Sequence, residues 1–342
     1  MAYTTINKGT DYFNTKLYTG TGSSNSITGV GFQPDWVWIK NRGNTESHAL
    51  FDAVRGVTKR IVSNSTGAEE TNANTVTAFG TDGFTVGTNA GVNGSGISTV
   101  AWNWKANGSG SSNTDGSTAS TVSVNTTAGF SIVKWTGSGS ATTIGHGLGV
   151  TPKIIMLKNT SEVYGWQVYH ASLGNTKYLA LDSTDASATS SQSWNNTSPT
   201  STVFSVGASD SNNKSGNTII AYCFAEKTGF SKFGSYIGNG STWGTFVNCG
   251  FKPAWIIAKR TSDVEDWFMY DTKRDPINVA DTRLKANGNP GEATNLGVDF
   301  LSNGFKWRSN TAGYNASGST YIYMAFAEEP VVASTGDPAT AR

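Results

Sequence analysis

A ten-residue pattern that returns twice constrains this chain more than any other feature. GFQPDWVWIK at Gly31–Lys40 recurs as GVTPKIIMLK at Gly149–Lys158 and as GFKPAWIIAK at Gly250–Lys259. Its prolines, Pro34, Pro152 and Pro253, are 118 and then 101 residues apart. A second marker, Ser95-Gly96, Ser215-Gly216 and Ser317-Gly318, is spaced 120 and 102. Two markers that agree to within two residues define a repeat of domain size, and such self-similarity takes precedence over any local fold signal. We place the copies at 1–107, 120–227 and 228–330, with a Gly/Ser stretch at 108–119 and a small, polar tail at 331–342. The 108–119 stretch has the composition of a flexible linker, whereas the second copy runs straight into the third through Glu226-Lys227-Thr228.

Each copy reads as β-structure. After its proline comes an unbroken apolar run, Trp36–Ile39, Ile154–Leu157 or Trp255–Ala258, which predicts a central strand covered on both faces. The proline sits at the strand entrance, where its missing N–H costs least. The last strand of each copy alternates: Val100, Trp102 and Trp104, then Ile220, Tyr222 and Phe224, then Ile322, Met324 and Phe326 share a large apolar face. The opposite face is mostly small, and we expect the large face to fill the copy's own core. At least six short strands fall within about 105 residues of the second copy, separated by Gly, Asn and Ser turns. The expected fold is all-β: three tandem antiparallel β-sandwich repeats of jelly-roll or lectin-like type.

Composition agrees. Forty glycines disfavour helix, and 11 Trp, 12 Tyr and 16 Phe exclude a disordered chain because those rings need a core. With 25 Lys+Arg against 24 Asp+Glu, the net charge of +1 offers no field for a polyanion, and no nucleic-acid partner is expected. The start carries no secretion signal and no apolar run is long enough to span a bilayer, so we expect synthesis in a cytoplasm and no membrane insertion. Cys223 and Cys249, the only cysteines, read as reduced, buried thiols.

The repeat also weighs the chemistry. His48 stands where the other copies have Trp166 and Trp267, and His170 where they have Asp52 and Asp271, so both read as structural. His146 lies in a turn, expected at the surface. No histidine pair, thiol cluster or D-x-[DN]-x-[DN]-G loop is present, which argues against a transition metal; a calcium ion is left open. G-x-S-x-G is absent, and the Gly-x-Gly triplets at Gly20, Gly137 and Gly238 read as hairpin turns rather than phosphate loops. Asp52 with Arg55 and Asp271 with Arg274 repeat a spacing that reads as an exposed ion pair worth roughly 0–1 kcal/mol. No catalytic residue and no cofactor is expected. Most aromatics sit at repeat-matched core positions; Trp194, Trp243 and Trp307, nearest the loops, are the candidates for an exposed binding role, for instance stacking on a sugar.

The opening MAYTTINK, Phe51–Gly56, Tyr169–Tyr178 and Tyr323–Glu328 resemble a family of repeat proteins common in tailed bacteriophages of aquatic bacteria, labelled phage structural or tail-fibre-like. The likeness runs from Met1 to Arg342 and brings no catalytic residues with it. It implies a non-enzymatic virion protein, foremost a tail-fibre-like or adhesin subunit for host attachment. Capsid decoration is the alternative placement, and a polysaccharide-binding or polysaccharide-degrading phage enzyme the alternative function. Implied partners are other virion proteins and a host surface glycan or receptor. By analogy with other phage surface proteins we expect a homo-oligomer, a trimer.

Overall fold

The computed structural model of the protein describes residues 4–328, so the tail expected at 331–342 lies outside the described residues. Within them the chain is all-β, antiparallel and sandwich-like, with three helices of four residues each and one 3₁₀ turn.

One four-strand order occurs in three sheets. An opening strand pairs with the closing strand, the closing strand with the central strand, and the central strand with a return strand. The first set is Phe13–Thr19, Ser98–Trp104, Trp36–Asn41 and Ala49–Asp52. Phe130–Thr136, Thr218–Phe224, Ile154–Asn159 and Gln167–His170 form the second, and Ser231–Ile237, Thr320–Ala327, Pro253–Arg260 and Trp267–Asp271 the third. All three post-proline runs are buried throughout, as expected for a strand covered on both faces.

The two faces of the closing strand have different partners from those expected. Ala101, with Val37, Ile39 and Phe51, packs on Ile27, Phe84 and Val86 inside the first copy. Ala221 and Cys223 pack likewise on Ile144, Phe204 and Val206 inside the second. The small face therefore closes each of these sandwiches. The large face, carrying Trp102 and Trp104, or Tyr222 and Phe224, or Phe326, enters one core shared by all three copies. There Trp36 stacks on Tyr222 at 4.3 Å, Phe13 on Phe326 at 5.0 Å, and Trp104 meets Trp255 edge-on at 5.7 Å.

Backbone contacts join the copies in a closed cycle. Glu69 N donates to Thr160 O, Ser187 N to Thr261 O, and Glu292 N to Arg42 O; the three acceptors occupy the same repeat position. One loop from each copy thus grips the end of the next copy's central strand, and the third grips the first.

Two expectations change. Segment 108–119 is built into the fold: Ser111–Asn113 pairs with Ser120–Asn125, Asn107 N donates to Ser123 Oγ, and Gly108 N to Asp35 Oδ1. Its small residues serve close approach rather than freedom, since a Cβ on Gly110 would lie 2.7 Å from the Val122 backbone. The third copy is also not two separate sheets. Its long strands Ala280–Lys285 and Ala293–Leu301 link the layers into one eight-stranded sheet that curls round to Gly304–Trp307 and Phe246–Asn248.

The Gly-x-Gly triplets are turns with a packing reason. A Cβ on Gly20, Gly137 or Gly238 would sit 2.1–2.2 Å from a backbone carbonyl of the turn facing it. A buried asparagine in that facing turn, Asn93, Asn213 or Asn315, accepts the N–H of the triplet's middle residue. These glycines admit backbone, not phosphate.

Candidate functional site

Charged and titratable groups in the interior are the first candidates for chemistry, because perturbed groups in clefts mark active sites. Several of them prove to be joints between copies. His48 accepts from Trp38 Nε1 through Nδ1 at 2.7 Å and faces Lys285 O with Nε2 at 3.0 Å. In the matching slots Trp166 Nε1 donates to Val62 O and Trp267 Nε1 to Ala180 O, again across a seam. His48 therefore does an indole's work, with its proton on Nε2. Burial first, then Lys40, pushes its pKa well below the ordinary imidazole value. His170 faces Tyr323 O across the next seam at 3.4 Å, and burial lowers it to about 4. His146, expected at the surface, is fully buried: Nδ1 accepts from Leu148 N and Nε2 lies 3.2 Å from Thr200 O.

All three histidines are held neutral, and the sign of the linkage follows. As pH falls through about 6.5 the unfolded chain takes up protons that the folded chain refuses, so stability present at neutral pH is lost toward acid. His170 alone, at about 4, removes about 2 kcal/mol between pH 7 and pH 5. Urea unfolding at the two pH values should show this loss in the wild-type chain and a flatter profile in His170→Asn. Equal losses in both would refute the assignment.

The Asp–Arg pairs are not exposed. Asp52 and Arg55 have side chains 0% and 2% exposed, and Asp271 and Arg274 are both at 0%. Each carboxylate also receives a donor from another copy, Tyr222 Oη at 2.8 Å and Trp102 Nε1 at 3.1 Å respectively. Burial first, then Asp52, holds the Tyr222 phenol far above its usual value, so it stays a donor. Cys223 and Cys249 are free and buried, and burial raises the latter's thiol to about 12. Among the described residues no three His, Cys, Asp or Glu gather to hold a metal ion.

Two adjoining open clefts, of about 320 and 290 Å³, share Lys134 and Thr218. The second lies on the seam between the first two copies, with Arg55, Thr160 and Ser161 around it. Glu69 is the single carboxylate lining the pair, whereas glycoside hydrolysis takes two that face each other.

The three candidate tryptophans separate cleanly. Trp194 ends the short helix Ser191–Trp194 and turns inward against Tyr169 at 5.6 Å, its Nε1 donating to Lys177 O. Trp307 shares the inward face of Gly304–Trp307 with Phe305 and stacks on Tyr314 at 4.6 Å; strand alternation puts Lys306, not Trp307, outside. Both are core residues. Trp243 is 63% exposed on the loop 238–245 that leads from Ser231–Ile237 into the third copy's outer strand pair, Phe246–Asn248 with Gly304–Trp307.

Around it stand residues the sequence reading passed over. Ile237 is 63% exposed and Phe246 42%. Lys306 Nζ lies 4.3 Å, and Arg308 Cζ 4.4 Å, from the Trp243 ring centroid. The signal that marks them is a comparison of copies at the outward positions, where the other two copies carry only Ser, Thr and Gly.

No curated protein and no solved structure matches the chain. A family model described as a domain of unknown function, DUF7483, matches residues 8–330, so that one model spans all three copies. The chain therefore belongs to the DUF7483 family.

Proposed function

We propose that this protein is a non-enzymatic structural component of a bacteriophage virion, exposed on the particle, that presents an attachment surface to the host in the manner of a tail-fibre-like or adhesin subunit. The observation that carries the reading is a contrast. Many interior polar groups join copies, while the third copy puts the Trp243 indole into solvent with two half-buried cations against its ring. A cycle of copies closed on a shared aromatic core suits a module that must persist outside the cell. Resemblance to tail-fibre-like phage proteins supplies the setting.

Labelling this protein in images of the intact particle tests the placement. Signal at the tail tip supports attachment, signal over the head favours decoration, and particles without signal overturn a virion role. Incubation with host surface polysaccharide tests the enzymatic alternative, which chain shortening would establish. The proposed homo-trimer predicts a light-scattering mass near three times 36.1 kDa, and a species at 36.1 kDa would make the three-copy cycle the complete unit.

A further inference from the structure

The third copy's outer strand pair and the turn that leads into it differ from their two counterparts. Strand registers align the strand pairs residue by residue. Phe246 takes the place of Ser26 and Thr143, and Lys306 that of Thr85 and Ser205. Ile237 replaces Thr19 and Thr136 at the end of the opening strand. Arg308 follows Trp307 where Gly87 and Gly207 follow Val86 and Val206. The turn is also two residues longer: Gly240 to Val247 spans seven positions, Gly22 to Ile27 and Gly139 to Ile144 five. Trp243 lies in that longer turn.

Two copies thus present hydroxyls and glycine on this face, and the third presents Ile237, Trp243, Phe246, Lys306 and Arg308. The substitutions carry a solvation cost, because three large apolar side chains face water. Lys306 makes no ion pair among the described residues, and Arg308 pairs with Asp299 at 2.7 Å through one terminal nitrogen.

Resting on the attachment reading above, we infer that this exposed turn and strand pair is a binding site for an acidic glycan, in which a sugar ring stacks on Trp243 while its carboxylate or phosphate pairs with Lys306 and Arg308. Three observations favour this occupant. An exposed indole offers the flat apolar surface that stacks on a planar or ring-shaped ligand. Two cations within 4.4 Å of that ring's centroid, one of them paired with Asp299, leave the surface a net positive charge that selects anionic rings over neutral ones. The apolar patch of three side chains measures roughly 300–400 Å², about half of what each partner contributes to a stable protein interface, yet ample for one or two sugar units.

The experiment is calorimetric titration of the full chain with oligogalacturonate, which carries carboxylates, and phosphomannan, which carries phosphates. Dextran serves as neutral control and inorganic polyphosphate as charge-only control. Either acidic glycan should bind saturably, more weakly at higher salt, and which one binds tells the anion's chemistry. Trp243→Ala should weaken that binding about tenfold, and Lys306→Ala/Arg308→Ala should remove the preference over dextran. Trp243 is exposed and Lys306 and Arg308 are half-buried, and unchanged melting checks that both variants fold.

Absence of binding by both acidic glycans overturns the inference, as does polyphosphate binding that survives Trp243→Ala. Capture of another virion protein by the wild-type chain but not by Trp243→Ala would make the patch a protein interface and overturn it too. The two readings fail separately. Labelled particles with no glycan binding refute the ligand class alone, and glycan binding by a protein missing from particles refutes the virion role alone.

Discussion

Residues 120–227 expressed alone should not form a cooperatively folded monomer. In the intact chain Ile132, Ile154, Met156, Trp166, Val168, Ile220, Tyr222 and Phe224 of this copy are buried in the shared core, not in its own sandwich. At about 1.5–3 kcal/mol for each buried large side chain, exposing those eight forfeits about 12–24 kcal/mol. A domain of this size has about 5–15 kcal/mol of stability to lose. The fragment also loses the acceptors that the first copy gives it, Val62 O for Trp166 Nε1 and Thr66 O for the buried Lys158 ammonium. We expect a fragment that binds hydrophobic dyes and lacks near-ultraviolet dichroism, or one that self-associates to cover the face. A soluble monomer with native-like dichroism and a sharp melt would overturn the shared-core account. An engineered polar face, with Ile154, Tyr222 and Phe224 replaced by Ser, Thr and Lys, should recover solubility because the small face keeps its own core.

Much of this architecture is written in the sequence, and the parts that are not share a cause. The central strand was legible because an unbroken apolar run admits one reading, burial on both sides. The roles of His48 and His170 could be anticipated from the residues in their sister slots. Alternation in the closing strand gave two faces, one large and one small, but no rule of periodicity says which face meets its own second layer and which meets a neighbour. That choice depends on how the copies are arranged, a long-range property. The same gap explains the Asp–Arg pairs. Their spacing is visible in one dimension, while their burial comes from Tyr222 and Trp102, 170 and 169 residues away. Segment 108–119 misled through composition, since Gly and Ser serve tight approach as readily as flexibility. At the exposed patch Trp243 was legible as an indole near a loop, but its neighbours were not. Trp307 drew attention as an indole, whereas strand alternation assigns the surface to Lys306 and Arg308, and a copy-by-copy comparison of outward positions would have selected both.

Removing the guanidinium of Arg274 should be among the most damaging single changes in the chain. Arg274 Nε lies 2.5 Å from Asp271 Oδ2, with both side chains fully buried, and its remaining nitrogens bond Met269 O and Glu292 Oε1. In Arg274→Leu, Glu292 keeps Arg42 at 2.6 Å as a counter-ion, but Asp271 keeps only neutral donors, its neighbours' N–H groups and Trp102 Nε1. A buried carboxylate without its cation costs about 3–5 kcal/mol, because the charge has lost both water and partner. The second copy shows how the slot tolerates neutrality, holding His170 and Leu173 where the others hold Asp and Arg. Asp271→Asn/Arg274→Leu, which removes both charges and leaves an amide oxygen for Trp102, should therefore recover most of the loss. The exposed pair Lys8–Asp11, at 3.4 Å with side chains 61% and 51% exposed, provides the control, and Lys8→Ala should cost less than about 1 kcal/mol. Urea midpoints of the four proteins decide the matter. If Arg274→Leu unfolds with Lys8→Ala, or if the double variant is less stable than Arg274→Leu, the buried pair is not the joint that locks the third copy to the first.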